Sequence, residues 1–199
     1  MNKKGFTFIE VALVLGLAAI IFMMAFIALP SLWTSQRDAD RKANVMTLVS
    51  NLKTYQTNNS RGALPVISSG GNTFSLQSAR ESDPKDTTWE YFIKNYVDKN
   101  FTDPLAGENY ENVWFHIIKC GDDVKVNVGA TCTDGVLNSV NTGIEPAFDR
   151  ENFTFYIVTK STCDGDHAVS TNSERSVSVI QVLERGGRYC HSTDRKSVV

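Results

Sequence analysis

The 199-residue chain lacks the short motifs by which most enzymes and metal proteins announce themselves. It has no CxxC pair and no HxxxH pair, the spacings that bring zinc ligands together. Its three histidines, His116, His167 and His191, stand far apart in sequence. No metal and no cofactor are expected. GxSxG, P-loop and Rossmann fingerprints are absent, so the chain is read as a non-enzyme. A dominant charge of one sign is also missing. The formal charge of -2 is too small to imply a nucleic acid or an acidic membrane as partner. The basic stretch RGGRYCHSTDRK near the C-terminus reads as a solvated tail, with weak contact to nucleic acid at most. Finally, no A-x-A site follows the long apolar run, which excludes an ordinary cleaved secretory signal.

That apolar run is the strongest positive feature. It extends over the 24 residues from Phe6 to Leu29. At about 1.5 Å per residue, this is enough to cross a bilayer core of about 30 Å. Lys3 and Lys4 lie just before it and should stay cytoplasmic, which puts the rest of the chain outside as a single-pass protein. Thr7 and Glu10 alone break the run. A carboxylate inside a membrane segment costs up to roughly 2.5–3.5 kcal/mol, so Glu10 needs a partner and becomes a candidate functional residue.

The residues from Lys4 to Glu10, KGFTFIE, followed by a long apolar run, resemble the cleavage and methylation site of type IV pilins and the related pseudopilins. The resemblance implies a cut by a prepilin peptidase between Gly5 and Phe6, after a leader carrying Lys3 and Lys4, and N-methylation of Phe6. It maps the family's assembly glutamate onto Glu10, which would meet the Phe6 ammonium of a neighbouring subunit. A hydrogen-bonded pair recovers much of the cost of burying either charge alone. It further implies a helical homopolymer with itself and other pilins, and an assembly platform as partner. The chain would sit in the cell membrane before assembly and in an extracellular surface filament afterwards, serving adhesion, motility or DNA uptake. Two alternatives stand beside it: a pseudopilin of a type II secretion or competence machine, and a membrane-anchored extracytoplasmic binding protein that never polymerises. The chain departs from the family in one place. Its Ala28-Leu29-Pro30 comes about one helical turn later than is common, and Pro30, lacking an N–H, is expected to kink or loosen the helix there.

The expected organisation follows. Residues 1–5 form the removable leader, 6–30 the transmembrane and assembly half of one long helix, 31–58 its amphipathic half, and 59–199 a globular head. In the amphipathic half, Val45, Leu48, Val49, Leu52 and Tyr55 recur at helical steps, with Arg37, Asp38, Asp40, Arg41, Lys42 and Lys53 supplying charge around them. The helix should end near Asn58. Ala63–Lys85 reads as a loop. Thr87 and Glu90 fit a capping box for a short amphipathic helix ending near Asn100. Asp103-Pro104 through Tyr110 reads as a turn and resembles an element found before the sheet in many pilins. Strands are expected at Val113–Lys119, around Val124, Val126 and Val128 after a tight turn at Cys120–Asp123, at Phe153–Val158, and from Val177 to Leu183, where a phase slip at Ile180 suggests a bulge or burial on both faces. Gly186-Gly187 makes the last turn. The fold class is α+β, with the long helix packed on an antiparallel sheet.

Four cysteines, Cys120, Cys132, Cys163 and Cys190, all follow the membrane segment. An even count outside the cytoplasm favours two disulfides, with three pairings open. Joining sequence neighbours gives Cys120–Cys132 and Cys163–Cys190, and the second pair suits the pilin resemblance, in which a disulfide closes the C-terminal region. Asp164-Gly165-Asp166-His167 is the densest acidic cluster. Some pseudopilins hold calcium in a C-terminal loop, but two carboxylates fall short of the six to eight oxygens calcium takes, so a solvated turn is expected.

Overall fold

A computed structural model describes residues 7–59, 62–68, 71–98, 101–105, 113–119, 130–133, 136–139 and 153–194, with 130–133 and 136–139 described by their backbone alone. The chain divides into two units, Met1–Gln36 and Arg37–Val199. Helix α1, Phe8–Asn58, supplies all of the described part of the first unit beyond Thr7 and the opening element of the second.

From Val11 to Leu29 the helix of the first unit is apolar, and its large side chains are exposed on every side. Phe8, Leu15, Phe22, Met24 and Ile27 are all more than half exposed. A stretch this long and apolar meets the length and composition needed to cross a membrane. The helix runs through Pro30. The ring carries no N–H, so the carbonyl one turn earlier loses its usual partner.

The second unit is α+β. Its portion of α1 lays Val45, Leu48, Val49, Leu52 and Tyr55 into the core. These positions repeat at three- and four-residue steps, so they share one face. They pack against a five-stranded sheet of order β1-β2-β5-β8-β9, formed by Thr73–Ser75, Val113–Lys119, Phe153–Thr159, Val177–Val182 and Arg188–Ser192. Phe115, Phe155, Ile157 and Val179 face the helix, and Phe115 stacks on Phe155 with ring centroids 5.6 Å apart.

The sheet is mixed, which corrects the antiparallel expectation. Strands β2 and β5 run parallel in register from Val113↔Phe153 to Lys119↔Thr159. The other pairs are antiparallel. Parallel neighbours need a crossover of a dozen or more residues, and the segment 120–152 between them is long enough to provide it. Sequence order had suggested short turns only. Two further elements lie where a loop was expected: β1 and the one-and-a-half-turn helix α2, Leu76–Glu81, whose N-cap Ser75 and Ser78 form a reciprocal capping pair. Helix α3, Trp89–Tyr96, is capped by Thr88, one residue later than expected, through a bond from the Tyr91 N–H. It ends before Asn100, at a Val97 cap.

A second sheet, order β3-β4-β7-β6, comprises Ala130–Thr133, Val136–Ser139, His167–Ser170 and Ser161–Asp164. The β6–β7 hairpin covers the far face of the five-stranded sheet. There Ile118, Val158, Ala168, Ile180 and Cys190 form a second, smaller core. Strand β8 is therefore buried on both faces, and its register with β5 continues through Ile180 without a bulge. The Cys163–Cys190 disulfide, with Cα atoms 5.8 Å apart, ties β6 to β9. Arg188–Ser192 is thus a paired strand and not a solvated tail. The turn before it closes through Gly186 and Gly187, whose φ values of 86° and 81° favour glycine. The expected strand around Val126 and the Cys120–Asp123 turn lie outside the described residues.

Candidate functional site

The leader charges Lys3 and Lys4 and the cleavage pair Gly5 and Phe6 lie outside the described residues. Glu10 is described, and its carboxylate has a local partner. Its Oε2 accepts from the Thr7 N–H at 2.9 Å and from the Thr7 hydroxyl at 2.9 Å. The Glu10 N–H in turn donates to Thr7 Oγ1 at 3.3 Å. This is a capping box, in which a Thr and a Glu three residues apart satisfy each other's exposed backbone donors at a helix start. The spacing of Thr7 and Glu10 in Thr7-Phe8-Ile9-Glu10 is the sequence signal for this box, and it gives Glu10 a capping role beside its charge.

In the second unit, the largest concentration of charge is buried. Arg41 has no exposed side-chain surface, and neither does Asp103. The guanidinium grips that carboxylate with two bonds, Nε to Oδ2 at 2.8 Å and Nη2 to Oδ1 at 2.9 Å. Its Nη1 reaches Asp38 Oδ1 at 3.0 Å and Glu184 Oε2 at 3.5 Å. Arg37 makes a second bidentate pair with Glu184, both bonds 2.8 Å. Asp38 also accepts from the Glu184 backbone N–H at 2.8 Å, and Asp103 from the Leu105 N–H at 2.9 Å. The cluster binds α1 to the 101–105 turn and to the β8–β9 turn. Burial opposes the Arg41 charge, but the bonds and charge of Asp103, followed by those of Asp38, outweigh it and raise its pKa further. The Glu184 carboxyl is held below its usual range, chiefly by its bonds from Arg37. The sequence pattern sets Asp38 and Arg41 among the charges around the apolar stripe. They are part of it: stepping back from Val45 by four lands on Arg41, and by three more on Asp38. The signal was the periodicity itself, which a reading by polarity discarded.

His116 lies in β2, 3% exposed, with Nδ1 2.6 Å from Thr73 Oγ1 and no partner for Nε2 among the described residues. Burial pushes its pKa down. The Asp164–His167 cluster is the exposed turn of the β6–β7 hairpin, with Gly165 at φ 63° and the Asp166 carboxylate against His167. Of the four cysteines, Cys163 and Cys190 are joined. Cys120 is outside the described residues and Cys132 lies in β3, described by its backbone alone. An open cleft of about 600 Å³ lies between the extended segment at Leu64–Ile67 and the ends of β2 and β5, floored by Trp89 and Ile117.

No family model, curated protein or solved structure matches the chain.

Proposed function

We propose that the chain is a structural subunit of a type IV pilus-like surface filament, held in the membrane by the first half of α1 before assembly. The observation that carries this reading is a helix apolar and exposed on all sides, with the single carboxylate Glu10 near its start. Such a surface has no covering partner among the described residues, and packing of like helices in a filament core would cover it. The KGFTFIE sequence supplies the processing step. Until Gly5 is removed, the Phe6 ammonium does not exist, so cleavage would create the counter-charge for Glu10. The α+β unit, with a helix stripe laid on a sheet and a disulfide near the C-terminus, agrees with this reading. Edman sequencing of sheared surface material tests it. Methyl-phenylalanine at the first cycle, followed by Thr-Phe-Ile-Glu, is the expected result. Absence of this protein from sheared filaments would overturn the reading.

One observation favours a second reading, an anchored extracytoplasmic protein that does not polymerise. The Glu10 carboxylate is already engaged by Thr7 of its own chain, so helix capping gives it a role without a neighbour. Intact mass separates the two: retention of Met1–Gly5 in the purified protein supports the anchor, and its loss supports the subunit.

A further inference from the structure

Residues Leu64–Ser68 run alongside the start of α3. Val66 bridges to Thr88 in parallel: its N–H donates to the Thr87 carbonyl at 2.7 Å and its carbonyl accepts from the Trp89 N–H at 3.2 Å. Along an extended strand, successive residues turn their backbone groups to opposite sides. The Pro65 carbonyl and the Ile67 N–H and carbonyl therefore belong to the opposite edge, and they make no hydrogen bond among the described residues. Val66 and Ile67 are 54% and 42% exposed, unusual for large apolar residues of this unit. The cleft beside them is within the range of about 300–1,000 Å³ that encloses ligands, and Trp89 and Ile117 give it an apolar floor.

The mouth of the cleft carries three charges. Lys160 and Glu174 neutralise each other across 2.6 Å. The exposed Arg175 side chain lies over Gly62 and, among the described residues, makes no ion pair or side-chain hydrogen bond. Among the described residues, the cleft thus combines an open strand edge, an apolar floor and a positive charge without an ion pair.

We propose that this cleft docks an extended peptide segment, apolar on one side and carrying an acidic side chain. The segment adds as a strand along Leu64–Ser68, bonding the Ile67 backbone. Its apolar side chains enter the cleft, and its carboxylate meets Arg175. Strand addition of this kind takes affinity from main-chain bonds and selectivity from the pockets between them. A lipid-like carboxylate would satisfy Arg175 and the floor, but it would leave the strand edge unpaired. The inference is independent of filament assembly, since it uses only residues of the second unit.

The test uses the full chain in detergent micelles and a fluorescein-labelled heptapeptide of alternating valine and serine with one central aspartate. Its control carries asparagine there. Anisotropy should show saturable binding, about three- to fivefold tighter for the aspartate probe, as expected for one solvent-exposed ion pair. Arg175→Gln should remove that preference and leave residual binding. Ile67→Pro, which deletes an unpaired N–H, should weaken both probes alike while thermal melting stays close to wild type. If Ile67→Pro does not fold, the Arg175→Gln comparison still decides. Equal affinity for the two probes, or no saturable binding, would overturn the proposal. So would binding of decanoate without binding of either peptide, which would mark a small-amphiphile site. Self-association abolished by Arg175→Gln, with no peptide bound, would assign the cleft to a second copy and overturn it as well.

Discussion

Arg41 shows how one side chain can set the stability of a whole contact surface. Its guanidinium faces Asp103, Asp38 and Glu184 with no exposed surface of its own. Replacing it by alanine takes the counter-charge from the buried carboxylates of Asp103 and Asp38, while Glu184 keeps Arg37. We expect Arg41→Ala to cost about 3–5 kcal/mol in urea denaturation of the full chain in micelles. Arg41→Lys should restore part of this, because an ammonium cannot hold a carboxylate by two parallel bonds. His116 makes a different prediction. Its pKa is lowered in the folded state by burial, so the unfolded chain takes up the proton first as pH falls. Stability from this residue is complete above the unfolded value of about 6.5 and declines below it. Glu184, also held low, adds a second loss below about pH 4.3, the unfolded carboxylate range. The melting temperature should therefore fall between pH 7.5 and pH 5.5, and His116→Gln should shrink that fall. An equal fall in the variant would show that His116 is not its source.

At the scale of elements, periodicity was a good guide to existence and a poor guide to partners. The stripe Val45, Leu48, Val49, Leu52, Tyr55 identified the buried face of α1, and the alternations in β5 and β8 identified strands. The parallel pairing of β2 with β5 was not legible, because alternation within a strand carries no information on the direction of its neighbour. The short β1 and α2 escaped for another reason: three strand residues and six helical ones are too few to show a period. The disulfide is the clearest cross-element tie. It closes a span of 27 residues between β6 and β9. Cys163→Ser with Cys190→Ser should cost about 2–4 kcal/mol by chemical denaturation, less if the β6–β7 hairpin stays packed on Ile180 without it. At the other end of the chain, Thr7→Val removes the hydroxyl of the capping box. About 0.5–2 kcal/mol of local helix stability should be lost, seen as faster amide exchange at Ile9 and Glu10 with exchange unchanged beyond the first turns.

For the whole molecule, the consequential property is that an exposed helical stretch, apolar apart from Glu10 near its start, precedes an α+β unit with its own core. The expected outcome is retention of the protein in the membrane pellet after alkaline extraction. Ile20→Arg, near the middle of the apolar stretch, should cost roughly 2.5–3.5 kcal/mol of insertion and shift protein to the soluble fraction. The membrane-length helix, its capping pair and the α+β class follow from sequence alone, because run length, residue spacing and local alternation are properties of neighbouring residues. The Arg41 cluster, the parallel strand pair and the cleft beside Leu64–Ser68 were decided only by tertiary structure. Each joins residues far apart in the chain: Arg41 with Asp103 and Glu184, β2 with β5, Val66 with Ile117 and Arg175. Which distant groups meet is set by how the helix face and the two sheets bury their apolar surface together, and no local pattern records that outcome.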